Sequence, residues 1–231
     1  MSLYYQDEYV TLYHGDCLTE HREWLDADVL VTDPPYGGGF RSRHGWRDGE
    51  AKKIRVAGDK NTIVRDEALE AWGDKPALVF GFWRRPIPPT TRQMIVWDKR
   101  GGNGFSGDYK MPWADATEQI YVIGRDGWQG KRVPAIYSIP SLHSASPERY
   151  GHPTPKPVML MTALLEKCPP GVVADPFAGS GATLVAARNL GRKCVGVELE
   201  ERYCEIIADR LAQGTLIFEE TAWSGCSTED E

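Results

Sequence analysis

The sequence predicts an α/β domain built on a mainly parallel sheet with both faces covered. Short apolar runs alternate with helical stretches toward the C-terminus, at the spacing of strand–helix–strand units. Val29-Leu30-Val31 and Val172-Val173-Ala174 are apolar without alternation, as strands buried on both faces are. Both runs end in an aspartate followed by a turn, Asp33 and Asp175. A chain of 231 residues is long enough for one such domain with a full core.

The elements follow in order. Tyr9 to Tyr13 reads as a short strand leading into His14-Gly15-Asp16, and Val29 to Thr32 as a buried one. Residues 37–65 lose apolar periodicity and carry many basic residues, so they read as a long, mobile, basic loop; long loops of this kind are often functional. Asp66 to Trp72 suits a short helix. Ala77 to Phe80, Met94 to Trp97 and Gln119 to Ile123 read as strands. The stretch 125–155 is irregular. Val158 to Lys167 suits a helix opened by Pro157 and stopped by Pro169-Pro170-Gly171. Val172 to Asp175 is a strand, Ala182 to Asn189 a helix ended by Gly191, Cys194 to Val197 a strand, and Glu201 to Leu211 a helix. The acidic end, 219–231, reads as a loose tail.

A net charge of −6 and a pI near 5.5 do not suggest a general nucleic-acid binder, so any such surface is a local patch. The five cysteines, Cys17, Cys168, Cys194, Cys204 and Cys226, form no CxxC pair, which argues against a zinc cluster and fits free thiols. No apolar stretch approaches membrane-spanning length, and the start shows no secretion signal.

The turn Asp175-Pro176-Phe177-Ala178-Gly179-Ser180-Gly181 opens a helix. Its glycines let backbone approach a ligand closely, and the helix start offers free N–H groups. Glu198, at the tip of the next strand, follows Asp175 by 23 positions. An acid at such a distance binds ribose hydroxyls. The dinucleotide fingerprint GxGxxG and the P-loop lysine are both missing, so a nucleoside without phosphates fits, and S-adenosylmethionine is one. A bland strand–turn–helix is the competing reading of the turn taken alone.

Asp33-Pro34-Pro35-Tyr36, followed much later by Phe177-Ala178-Gly179-Ser180-Gly181, resembles the amino-DNA methyltransferases, in the motif order of their β class. His152-Pro153-Thr154-Pro155-Lys156-Pro157 matches that family's segment before the cofactor strand, and Gly15-Asp16-Cys17-Leu18 its segment near the cofactor's adenine. Trp97-Asp98-Lys99 and the stretch from Glu118 resemble its later strands. The resemblance implies a Rossmann-like, doubly wound, mainly parallel seven-stranded sheet of the class I methyltransferase type, with the last strand antiparallel. It implies one methyltransferase domain over 1–218, with 37–65 as a basic insertion and 125–150 as a short target-recognition segment. It implies S-adenosylmethionine as cofactor, bound by Asp175, Pro176, Phe177, Gly179, Ser180, Gly181, Glu198 and Leu199. Asp16 and the Cys17 backbone would meet the adenine, and Thr154 and Lys156 the methionine carboxylate.

The implied substrate is an exocyclic amine of a DNA base, whose lone pair is delocalised into the ring. Acceptors on its hydrogens, from the Asp33 carboxylate and the Pro34 carbonyl, localise that lone pair. Pro34 and Pro35 stiffen the turn, and Tyr36 stacks on a base that has left double-stranded DNA. No covalent intermediate or metal is required. Arg41, Arg43, Lys52, Lys53 and Arg132 are the candidate phosphate contacts. Trp128, Tyr137 and His143 are further candidates. The 125–150 segment is short for target recognition, so a share for 37–65, or for a second subunit of a homodimer, is an expectation. Asp33 rather than serine leans toward adenine N6 within the family; cytosine N4 is the nearest alternative. A silent DNA-binding subunit and an RNA or protein methyltransferase are the others. The expected setting is the cytoplasm of a bacterial cell or phage-infected host, as a solitary enzyme or beside a restriction partner.

Overall fold

A computed structural model describes residues 2–35, 61–99, 110, 112–142, 152 and 154–213, and the backbone of 41–42 and 54–55. The strands are β1 (Leu3–Gln6), β2 (Val10–His14), β3 (Val29–Thr32), β4 (Arg41–Ser42), β5 (Ile54–Arg55), β6 (Ala77–Gly81), β7 (Thr91–Asp98), β8 (Thr117–Ile123), β9 (Ile136–Ser138), β10 (Val173–Asp175) and β11 (Cys194–Glu198). The helices are α1 (Ile63–Trp72), α2 (Val158–Leu165), α3 (Ala182–Asn189) and α4 (Glu201–Ala212), with a 3₁₀ turn at Glu23–Asp26. The main sheet runs β1-β2-β11-β10-β3-β6-β8-β7-β9, and β4 pairs with β5 in a separate ribbon.

The middle of that order is the expected Rossmann-like sheet. β2, β11, β10, β3 and β6 are mutually parallel. β8 is antiparallel to both of its neighbours, β6 and β7. β1 and β9 extend the seven-stranded unit at its two edges. The central strand β3 shows why its sequence is unbroken apolar. Val29 and Val31 join the core under α2, α3 and α4, while Leu30 joins the core under α1 and the 3₁₀ turn. All three are fully buried. Helices therefore cover both faces of the sheet, which is the doubly wound arrangement.

On one face α2 contributes Leu160, Met161, Leu164 and Leu165, all fully buried against Leu184, Ala186 and the strands. On the other, Trp24 and Trp72 stack with ring centroids 5.8 Å apart, and the Trp24 indole N–H donates to the Cys17 carbonyl at 2.9 Å. That bond ties the 3₁₀ turn to the loop after β2.

Differences from the sequence reading fall at the edges. β1 and β9 are short and half-exposed, β1 pairing with the next strand β2 and β9 with the distant β7, so neither carries a local pattern that marks a strand. β7 reaches back to Thr91 through the exposed Arg92 and Gln93, because its ladder with β8 continues past the apolar run. α1 begins at Ile63, ahead of Asp66. The ribbon β4–β5 lies within 37–65. The expected acidic tail, 219–231, lies outside the described residues.

Leu164→Ala should lower stability by about 2–5 kcal/mol, because it empties a filled site between α2 and the sheet. Met159→Ala, on the exposed side of the same helix, should change it by less than about 0.5 kcal/mol. Urea unfolding of the two variants checks the contrast.

Candidate active site

Because β2, β11, β10, β3 and β6 run the same way, their carboxyl ends share one edge of the sheet. Ligands bind at that edge in open α/β sheets. A cavity of about 570 Å³ opens there, and Asp16, Asp33, Lys156, Asp175, Glu198 and Phe82 are among its walls. Cys17, Pro34, Pro35, Thr154, Pro176, Phe177, Gly179, Ser180 and Leu199 also line it. The structure thus gathers both expected halves of the site around one space. Gly181 stands just behind, as the residue before α3.

One half centres on two buried carboxylates. Glu198 Oε2 accepts the Gly179 N–H at 2.7 Å, and Oε1 accepts the Glu200 N–H at 2.8 Å. Burial pushes its carboxyl up to about 7, and the acidic neighbours Glu200 and Asp175 add to the rise. Asp175 Oδ1 accepts the Thr32 hydroxyl at 2.7 Å and the Phe177 N–H at 3.2 Å. Burial pushes Asp175 up to about 6. Gly179 (φ +53°) and Gly181 (φ +80°) occupy left-handed backbone. A Cβ on Gly181 would sit 2.8 Å from Ile207, and one on Gly179 would sit 3.2 Å from the His152 ring. The turn is therefore pressed against its neighbours on one side and open to the cavity on the other.

The rim of this half is apolar and shaped by the chain itself. Leu199, next to Glu198, is 52% exposed and lines the cavity, where it offers an apolar surface. Asp16 Oδ1 accepts the Leu18 N–H at 2.7 Å and the Thr19 N–H at 3.2 Å, which fixes the carboxylate at the cavity mouth. Burial pushes the Cys17 thiol up to about 12, so it is no thiolate at neutral pH. His152 packs edge-on to Tyr203, 4.8 Å between centroids, and its Nδ1 accepts the Thr154 N–H at 3.3 Å.

The other half centres on Asp33. Its Oδ2 is bonded to the Lys156 ammonium, which also faces Glu118 Oε2 at 3.4 Å. Lys99 holds Glu118 Oε1 at 2.6 Å. Among the described residues, Asp33 Oδ1 is buried without a hydrogen-bond partner. Burial raises the Asp33 carboxyl above its ordinary value against the pull of Lys156, and Glu118 adds to the rise. Burial alone would raise Glu118 too, but Lys156 and Lys99 together hold it below its ordinary value.

Not every expected residue reaches this edge. Residues 124–132 leave the far end of β8 and are fastened to the end of α2. The Gln129 N–H donates to the Lys167 carbonyl at 2.9 Å, and the Lys167 ammonium to the Lys131 carbonyl at 2.8 Å. Arg132 and Trp128 therefore sit away from the cavity, and the Tyr137 hydroxyl points to the Ala163 carbonyl of α2. Tyr36, Arg43, Lys52, Lys53 and His143 lie outside the described residues, and Arg41 enters only through the backbone of β4.

Sequence reasoning missed Thr32, Phe82, Lys99 and Glu118 as members of the site. Thr32 left a trace, as the single polar residue closing an apolar strand. It also missed Trp83, 57% exposed at the rim next to Phe82, with the Arg84 guanidinium 4.6 Å above its ring. Among the described residues no cluster of His, Cys, Asp and Glu could hold a metal ion, and no helix is long and apolar enough to cross a membrane.

A family described as DNA methylase matches residues 84–209. Type II methyltransferase M.ScaI of Streptomyces caespitosus is 38% identical over 90% of this chain and 83% of its own length. Type II methyltransferase M2.LlaDCHI of Lactococcus lactis subsp. cremoris is 33% identical over 91% and 92%. Among solved structures, the M1.HpyAVI–SAM complex has a TM-score of 0.60 at 21% identity, covering 87% of this chain and 98% of that one. PvuII DNA methyltransferase (cytosine-N4-specific) has a TM-score of 0.65 at 16% identity, covering 90% and 88%. At these identities the structural likeness speaks for the fold.

The two raised carboxyls have a consequence for stability. Glu198 and Asp175 bind protons more tightly folded than unfolded, so their contribution favours the fold at low pH and is lost as pH rises through about 6 to 7. Glu198→Gln should shrink the difference in unfolding free energy between pH 5 and pH 8, by at most about 3 kcal/mol. Urea titrations at the two pH values test this, and an unchanged difference would contradict it.

Proposed function

This chain belongs to the DNA methylase family, and from that premise we propose that it moves a methyl group from S-adenosylmethionine to the exocyclic N6 amine of adenine in double-stranded DNA. The observation that carries the reading is Asp33, which lines the same cavity as Glu198 and Asp175 and whose buried Oδ1 has no hydrogen-bond partner among the described residues. The preference for adenine rests on Asp33 standing where a serine would lean toward cytosine.

The residues present fit the cofactor. Leu199 offers an uncovered apolar surface for an adenine ring, and Asp16 an acceptor beside it. Glu198 is a buried carboxylate whose partners are backbone N–H groups, so ribose hydroxyls would add two donors to it. Phe177, Gly179 and Ser180 line the cavity with Gly181 behind them, and Thr154, on the same cavity, would meet the methionine end. Bound there, S-adenosylmethionine supplies an electrophilic methyl on a positively charged sulfur.

The chain does the rest by position and electrostatics. Asp33 Oδ1 and the Pro34 carbonyl accept the two hydrogens of the amine. That draws the nitrogen toward sp³ geometry and frees its lone pair to attack. As the nitrogen–carbon bond formed the methyl–sulfur bond would break, the electron pair would leave on the neutral thioether S-adenosylhomocysteine, and the methylated amine would lose its surplus proton to water. Preorganised acceptors in a half-buried site need little rearrangement as charge develops, which is where most of the rate gain in such sites arises. Tyr36 follows the turn and stacks on the flipped base. DNA meets the carboxyl edge of the sheet, where Trp83 and Arg84 present an aromatic face with a cation over it. The work belongs in the cytoplasm of a bacterial cell or phage-infected host, where the DNA is. The same geometry serves the N4 amine of cytosine, which is the second reading.

Incubation of DNA with methyl-labelled cofactor, then nucleoside analysis, tests the proposal. Label in N6-methyladenosine is expected; label in N4-methylcytosine supports the second reading, and none with any DNA despite cofactor binding refutes both. Asp33→Ala should abolish methylation while cofactor affinity, read by calorimetry, stays within a few-fold; equal loss of both would show that Asp33 is misassigned. Trp83→Ala should weaken DNA binding by about tenfold, the scale of one lost stacking contact, with cofactor affinity unchanged. A gel-shift titration beside calorimetry checks it.

A further inference from the structure

Lys156 is used here in a way its sequence context does not announce. The resemblance implies a grip on the cofactor's carboxylate, yet its side chain is only 6% exposed and its ammonium is bonded to Asp33 Oδ2. Glu118 Oε2 stands 3.4 Å away on a second side, and the Phe80 ring centroid 4.9 Å away on a third. Pro155 and Pro157 flank it, both buried, which fixes the backbone that carries it. Glu118 is held in turn by Lys99, whose ammonium lies 5.3 Å from the Trp97 ring centroid. Two acids and two bases thus alternate from the catalytic turn into β8 and the end of β7.

We infer that Lys156, seated by Glu118, is a positioning residue for Asp33: it ties down Oδ2 so that Oδ1 alone is presented to the amine. This rests on the reading of Asp33 as the base-gripping carboxylate. A free carboxylate rotates, and rotation would offer the amine either oxygen at many angles. With Oδ2 held, the turn presents one acceptor in one direction. Glu118 adds a second carboxylate 3.4 Å from the same ammonium, and a buried lysine–aspartate pair gains from such added compensation. The charged groups facing Asp33 are Lys156 from the segment before α2, Glu118 from β8, Lys99 after β7, and Asp175 from the tip of β10.

The network makes opposite demands on its two members, and that is the test. Protein carrying carboxyl-labelled ¹³C-aspartate is titrated by NMR, with the Asp33 signal assigned through Asp33→Asn. Lys156→Met removes the attraction and should move the Asp33 titration up by roughly one unit or more; Glu118→Gln removes a repulsion and should move it down by roughly one unit. Lys156→Arg keeps the charge and should leave it near the wild type. If Lys156→Met fails to fold, the downward shift in Glu118→Gln carries the test alone. Shifts in the same direction, or none, would overturn the inference. So would a loss of cofactor affinity in Lys156→Met with the Asp33 titration unmoved, which would return Lys156 to the cofactor. The titration does not depend on methylation: wild-type protein that methylates no DNA yet shows the two opposite shifts would refute the function proposed above and leave the charge network standing.

Discussion

The parallel pairing of β10 with β3 on one side and β11 on the other is the constraint from which the site follows. Each strand is three to five residues long and ends at the same edge. Each tip carries or leads into an acid: Asp33, Asp175 and Glu198. A sheet with this register cannot avoid setting three carboxyl groups along one rim, in surroundings too apolar to solvate them fully. The Thr32 hydroxyl, bonded to Asp175 from the strand next door, is the stitch that couples the tip of β3 to the tip of β10.

The three acids are compensated differently, and the difference divides their labour. Glu198 rests on backbone N–H groups, and Asp175 on the Thr32 and Thr183 hydroxyls and a backbone N–H. Neither has an ion-pair partner among the described residues, so both sit well above the usual carboxylate range. That suits groups that await hydroxyl or cationic partners from a ligand. Asp33 instead receives a lysine. An ionised acceptor is what polarising an amine requires, and the ammonium works toward one against the burial that still leaves the Asp33 carboxyl raised. The site therefore contains two carboxyl groups with incomplete electrostatic partners and one with a partner of its own.

The central sheet was legible in the sequence because burial on both faces writes an unambiguous pattern. Val29 to Thr32, Ala182 to Asn189 and Cys194 onward needed no tertiary knowledge. Strands β1 and β9 were not legible, since both are short with half-exposed side chains, and β9 in addition pairs with the distant β7. Much the same divides the site. Asp33, the glycine turn and Glu198 announce themselves because turn chemistry and spacing are local. Glu118 and Lys99 do not, because a lone acid opening a strand and a lysine closing another look like surface charges until the sheet brings them to 2.6 Å. Lys156 could be placed near the cavity from its motif, but not its partner, which lies 123 positions earlier.

The Thr32–Asp175 bond spans 143 positions of the chain. Strand β3 lies in the centre of the sheet, but the strand that pairs with it on one side is made long after it. During synthesis the N-terminal half thus emerges with an apolar, unpaired strand edge and an acid whose lysine does not yet exist. Contacts so distant in sequence form slowly, and such intermediates are prone to aggregate. A chain broken off before β10 carries Asp33 and its turn but neither Asp175 nor Glu198, so the edge that gathers the three acids cannot form.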